Sequence, residues 1–396
     1  MTREAIIRFA TALLVLASFN VQQVIGQEDS DSLERIEFSD LPELVAKRAR
    51  KEFPADRLIG VERSNEKGQL LYHVMFEVEG AEAGVAIKPD GNIRDRWHFK
   101  GDSVPPIGDS VPPTHENIQY GPHQRNMMDL WIAESRQATP LLICIHGGGF
   151  SDGDKSGFRH ESELFGQMLE AGISVAAINY RLTEDGKHPF PIPMMDGVRA
   201  VQYLRLHAEK FNLDKDRFGA TGGSAGGCML MWIGFHPDFA MQEHVDPIRR
   251  ESSRLQVLAP FGGQSCLHLP TLEGWFGVSP LPVHPAYFPL FKLSEESELR
   301  TKSSLESMLA ASPTTYLTRD DPPIYLAYGD SASIDDELTP DRWVHHPVMG
   351  IKLKESMDKL GIECHVEYEG NHPVSRYKSQ VDFVIRKLTE TDKLPR

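Results

Sequence analysis

Several things are scarce in this sequence, and each scarcity excludes something. Only four cysteines occur in 396 residues, none of them in a CxxC pair. No His/Cys spacing matches a structural zinc site. Basic residues are outnumbered, with 42 Lys and Arg against 57 Asp and Glu, a formal charge of −15. A chain so acidic lacks the basic patches that neutralise phosphates, which argues against nucleic-acid binding and mildly against polyanionic substrates. Beyond the first 30 residues no unbroken apolar run reaches the length of a membrane helix, so no stable membrane insertion is expected once that segment is removed. What remains is an ordinary globular mix, 40% hydrophobic and 25% charged, long enough for two or three domains.

The N-terminus carries an export signature. Arg3 and Arg8 precede the short apolar stretch Phe9–Phe19, and Val24-Ile25-Gly26 offers a cleavage site before Gln27. Residues 1–26 therefore read as a signal peptide and the mature protein as secreted or periplasmic; the alternative is an uncleaved anchor. An even cysteine count in an exported chain permits disulfides. Cys144, inside the strand-like run LLICI, and Cys228, at the start of an apolar helix, nevertheless read as small core residues, beside Cys266 and Cys364.

Residues 32–100 form a small α+β module. Apolar residues Leu41, Leu44, Val45 and Ala49 recur at helical spacing up to Pro54. Strand-like runs follow at 58–61, 70–78 and 84–87, with a turn at Pro89-Asp90-Gly91-Asn92. Helix, short strands and the phrase IKPDGNI together resemble a PepSY module. Residues 101–114 contain GDSVPP twice, a Pro-rich extended spacer. Residues 115–396 then alternate strand and helix. Strands are expected near 117–120, 127–131, 141–145, 173–179, 218–221, 256–259, 324–328 and 364–368. Helices are expected near 161–171, 194–211, 228–233, 347–360 and 380–388. That alternation predicts an α/β fold, a mostly parallel sheet with helices on both faces.

Two glycine-rich turns carry the chemistry. Gly222-Gly223-Ser224-Ala225-Gly226 fits G-x-S-x-G between a strand and an apolar helix. Small neighbours let such a turn hold a serine in a strained, exposed conformation at a helix N-terminus. Taken alone, it could also be a packing or phosphate turn. His146-Gly147-Gly148-Gly149-Phe150 follows another predicted strand. Its consecutive glycines free backbone N–H groups, so Gly148, Gly149 and Ala225 are the expected oxyanion donors, with His146 ordering the loop.

These phrases, with INYRL at 178–182, FPIPMMDGVRAVQYLR at 190–205, DDPPIYLAYGD at 320–330 and YEGNHP at 368–373, resemble the α/β-hydrolase esterases of the hormone-sensitive-lipase-like and bacterial feruloyl- and acetyl-esterase-like groups. The resemblance implies an α/β-hydrolase fold and serine carboxylic-ester hydrolysis without a cofactor, on small-molecule or carbohydrate-linked esters. Gly223 stands where many hormone-sensitive-lipase-like enzymes have Asp, which leans toward carbohydrate esters. The chain order Ser, acid, His places the base near the C-terminus, where His372 in a loop is favoured over His365 within a strand. For the acid, alignment with the family selects Asp341, followed by Asp330, with Asp335 and Asp336 as a solvated pair. The expected triad is thus Ser224, Asp341 and His372. The Cys266–Leu299 segment, with Trp275, Phe276, Phe288 and Phe291, is read either as pocket material or as core packing. A peptidase on the same fold, or a non-catalytic scaffold whose N-terminal module binds a partner, are the competing readings.

Overall fold

A computed structural model describes residues 34–52, 57–66, 69–78, 81–90, 93–98, 111–334, 338–373 and 375–390. The expected signal peptide, most of the Pro-rich spacer, Asp335 and Asp336 lie outside these residues. The chain divides into two compact units, with the division between Asp109 and Ser110.

The first unit has strands β1 (Glu34–Arg35), β2 (Arg57–Glu66), β3 (Gln69–Val78), β4 (Ala81–Ile87) and β5 (Ile93–His98), paired antiparallel in sequence order. Helix α1 (Glu43–Glu52) contributes Val45 and Ala49, one turn apart, to a core with Leu41 just before it. Leu44, on the other side, is largely exposed. Tyr72, Val74 and Phe76, every second residue of β3, supply the facing side chains.

In the second unit eight strands lie in the order β13-β12-β11-β10-β8-β9-β7-β6. They are β6 (His115–Gln119), β7 (Met127–Trp131), β8 (Thr139–Ile145), β9 (Ser174–Ile178), β10 (Leu213–Gly223), β11 (Val257–Phe261), β12 (Ile324–Ser331) and β13 (Cys364–Glu369). Only β6 and β7 run antiparallel to their neighbours. Every residue of β8, β9 and β11 is buried, as in a parallel sheet covered on both faces. The helices are α2 (Ser162–Glu170), α3 (Ile192–Leu206), α4 (Ala225–Phe235), α5 (Leu269–Phe276), α6 (Tyr287–Phe291), α7 (Lys302–Ala311), α8 (Pro340–Val344), α9 (Val348–Leu360) and α10 (Gln380–Thr389). One apolar core contains α3, α4 and α9; another, on the opposite face, contains α2 and α10.

In the larger unit two elements depart furthest from their predicted bounds. The helix expected to 211 ends at Leu206, and a short 3-10 turn leads to Asn212, whose φ of 52° reverses the chain. The short strand expected at 218–221 belongs to the eleven-residue β10, which breaks register with β8 between Leu213 and Phe218. All four cysteines are buried and unpaired, and burial pushes the Cys364 thiol up to about 12. Among the described residues no helix is long and apolar enough to cross a membrane.

Candidate active site

Ser224 sits where β10 turns into α4. Its backbone is held at φ 50°, ψ −119°, a conformation side chains rarely adopt. Its N–H donates to the Phe261 carbonyl at 2.8 Å and its own carbonyl accepts from Cys228 N at 2.9 Å, which fixes the turn on both sides. The close approach of α4 to β8 requires glycine: a Cβ on Gly226 would lie 2.1 Å from the Ile145 carbonyl oxygen. With all eleven residues of α4 buried, the serine stands on a rigid base.

The glycine loop after β8 runs beside it. A Cβ on Gly147 would lie 3.4 Å from the Ser224 Cβ. Gly148 has φ 96°, and a Cβ there would sit 2.3 Å from the Asp152 carbonyl oxygen, so only glycine fits. The Gly148 carbonyl accepts from Ser151 N and Asp152 N, both at 2.9 Å. Among the described residues, no backbone carbonyl accepts from the N–H of Gly148, Gly149 or Ala225. His146 is part of the loop's frame. Its Nδ1 lies 2.8 Å from the Gly147 carbonyl, its ring stacks on Tyr180 at 4.3 Å, and burial pushes its pKa down to about 4.

The imidazole facing the serine comes from an element that sequence order did not single out. Nε2 of His345 is 2.9 Å from Ser224 Oγ. His345 directly follows α8, whose five residues leave their last carbonyls without partners inside the helix. One of them, the Asp341 carbonyl, accepts from His345 Nδ1 at 3.1 Å. A carbonyl can only accept, so Nδ1 carries the proton and Nε2 offers its lone pair to the serine hydroxyl. Burial lowers the His345 pKa, the bond to the Asp341 carbonyl opposes that shift, and neighbouring His284 adds to it.

The structure thus corrects two expectations. His372 is not the imidazole at Ser224. Its ring is 67% exposed and its Nδ1 bonds the buried Glu367 carboxylate at 2.8 Å. That carboxylate also accepts from Tyr325 OH. The Asp341 carboxylate does not hold the base either. It is 87% exposed and lies 3.4 Å from His284 Nε2, so the hydrogen bond that orients His345 comes from the Asp341 backbone, and the carboxylate acts on the ring only through its charge. His365 pairs with Glu363 and stacks on Tyr325. Asp330 is exposed at the end of β12, and its charge acts on His345 more weakly than that of Asp341. The signal that could have found His345 is its place four residues after Asp341, one helical turn, in a His345-His346-Pro347 run before α9.

The β11–β12 connection divides its labour. Phe276 and Phe291 are buried in the core, and Trp275 and Phe288 pack partly buried against it. The 284–286 turn covers the glycine loop: a Cβ on Gly149 would lie 3.2 Å from Ala286 Cβ and 4.0 Å from His284 Cε1. His284 accepts from Ala286 N at Nδ1, which leaves Nε2–H to face Asp341.

Residues 128–338 match the BD-FAE family model. The chain is 29% identical over 223 residues to the probable carboxylic ester hydrolase LipM of Mycobacterium tuberculosis, covering 55% of this chain and 48% of that protein. It is 27% identical to esterase LipQ of the same organism over 222 residues, 54% of this chain and 48% of the relative. The chain spans about half the length of these curated relatives. Among solved structures, the truncated form of a carbohydrate esterase from gut microbiota aligns with a TM-score of 0.54 and 19% identity, covering 72% of this chain and 99% of that one. That likeness is one of fold. The family match extends over more than half of the 396 residues, and the chain belongs to the BD-FAE family, an α/β-hydrolase-fold, hormone-sensitive-lipase-like group homologous to carboxylic ester hydrolases.

Proposed function

We propose that the chain is a serine carboxylic-ester hydrolase working through an acyl-enzyme, with Ser224 as nucleophile and His345 as general base. The observation that carries this reading is the 2.9 Å contact between Ser224 Oγ and His345 Nε2, at a strained strand-to-helix turn beside three glycines. His345 Nε2 takes the hydroxyl proton as Oγ attacks the acyl carbon. The N–H groups of Gly148, Gly149 and Ala225 receive the developing oxyanion. His345 then gives its proton to the leaving alcohol, and water resolves the ester. The Asp341 carbonyl keeps the proton on Nδ1 throughout. As an acceptor at the C-terminal end of a helix it also favours the imidazolium that forms.

Small or carbohydrate-linked acyl esters are the proposed substrates. Supporting this are the ester-hydrolase relatives and the polar, exposed carboxylates of Asp330 and Asp341 near the base, which suit hydroxyl-bearing alcohols better than anions. We further propose that the protein acts after export, on the strength of the basic and apolar N-terminal residues. The test is chemical. A serine-directed organophosphonate should label Ser224, and Ser224→Ala should lower turnover of a short-chain aryl ester by about 10⁴-fold or more with the fold retained. Label on another serine, or full activity in the variant, overturns the reading.

A further inference from the structure

Outside the serine centre, one group of side chains has the make-up of a metal site. His123 lies in the turn between β6 and β7, and Glu184 and His188 lie in the loop after β9. One ligand atom from each lies within 4.8 Å of the others. Two imidazoles and one carboxylate form a donor set suited to zinc and the neighbouring late transition ions, with further positions left for water.

We propose that His123, Glu184 and His188 bind a divalent transition-metal ion, zinc above all, and that this ion ties the β6–β7 turn to the β9 loop. His188 is prepared for the task. Its Nδ1 donates to the Leu182 carbonyl at 3.0 Å, which fixes the ring and leaves the Nε2 lone pair for a metal, the usual support of a ligating histidine. Glu184 is presented from a backbone with φ 43°, followed by Asp185 at 53° and Gly186 at 84°. Its carboxylate now lies 3.9 Å from the exposed Lys187 ammonium, which a divalent ion would displace, and 3.9 Å from His188 Nδ1, from which it would turn to meet the ion. His123 gives up one contact, since its Nδ1 now accepts from Arg125 N at 3.2 Å. Ligation through either of its nitrogens ends that bond and replaces it with a metal–nitrogen bond. The rings of His123 and His188 already meet edge to face, with centroids 5.2 Å apart.

The location gives the ion a mechanical role. Thr183 N donates to the Phe150 carbonyl at 2.9 Å, and the Thr183 and Ser151 hydroxyls are 2.9 Å apart. On the other side, Arg125 donates to the carbonyls of Tyr180 and Gly153. The two segments the ion would join are therefore the ones that brace the glycine loop. The ion would take no part in bond making at Ser224.

The test uses the full chain, without a histidine tag and stripped with chelator, titrated with zinc chloride. One zinc per chain should bind, and His188→Gln and Glu184→Gln should each weaken binding by more than about tenfold. Cobalt(II) should give visible absorption bands of a low-coordinate site in the wild type and lose them in both variants. Hydrogen exchange at residues 121–126 and 183–188 should slow when zinc is present. Binding that survives both substitutions, or no stoichiometric binding by a folded wild type, overturns the proposal. The second result would mean that the three side chains form only a surface ion cluster.

Discussion

Asp341 holds two imidazoles with two different groups, and the division can be measured. Its carbonyl orients His345, while its carboxylate faces His284. Asp341→Asn keeps the carbonyl. Its effect on kcat should therefore fall well short of the about 10⁴-fold loss seen when a carboxylate holds the base. His345→Ala should show the large loss, and His372→Ala should leave kcat within a few-fold of wild type. The reverse ranking of His345 and His372 in steady-state kinetics would return the base to the C-terminal loop. The pH profile supplies a second, signed check. A base must be neutral, and burial lowers the His345 pKa. The acid limb of kcat/KM should thus lie below about 6.5, the ordinary histidine value. The charge of Asp341 raises the His345 pKa and His284 lowers it. Asp341→Asn should move the limb to lower pH and His284→Gln should move it to higher pH. Shifts of the opposite sign would show that the three groups are not coupled in this way.

At the scale of elements, the sequence was most legible where one local rule acts alone. Continuous apolar runs marked β8, β9 and β11, because a parallel sheet buries both of their faces. The serine turn and the glycine loop were legible because their backbones demand small residues, as Gly226 and Gly148 demonstrate. The base was not. The order Ser, acid, His points past the last strand to His372, which the structure pairs with Glu367 instead. What places His345 at Ser224 is the five-residue helix α8, too short to show a period, and no spacing rule announces an orphan carbonyl as a partner. Element-level electrostatics give a further expectation at α2. Glu161 opens this helix, where the dipole favours an anion, yet burial and then Glu163 raise its pKa to about 7. Between the ordinary carboxylate value and 7 the folded chain binds more protons than the unfolded one at this site. Its contribution to stability therefore falls as pH rises through that window. Glu161→Gln should raise Tm relative to wild type at pH 8 and do so far less at pH 5. Equal changes at both pH values would show that the carboxyl is ionised as in water.

At the scale of the whole molecule, the division at Asp109 and Ser110 assigns every proposed catalytic group to one side. Ser224, His345, the glycine loop and the 284–286 turn all lie in the larger unit, which has its own cores. The smaller unit has a separate core around Val45, Val74 and Phe76. A chain beginning at Ser110 should therefore hydrolyse a short aryl ester with kcat and KM within a few-fold of the full chain. The exact starting residue matters for a reason that can be named. The indole N–H of Trp131, a side chain only 1% exposed, donates to the Val111 carbonyl at 2.7 Å, and Val111 packs against the core that contains Trp131. Ile132 N donates to the Thr114 hydroxyl at 2.9 Å. A chain beginning at Glu116 loses both acceptors and leaves a buried indole donor unpaired, at a cost of about 1–3 kcal/mol. Thermal unfolding should place the Ser110 chain at the Tm of the larger unit in the full protein, and the Glu116 chain several degrees lower. Equal Tm values for the two shortened chains would show that residues 110–115 contribute nothing to the larger unit. A Ser110 chain that folds but turns over no ester would assign part of the site to the smaller unit.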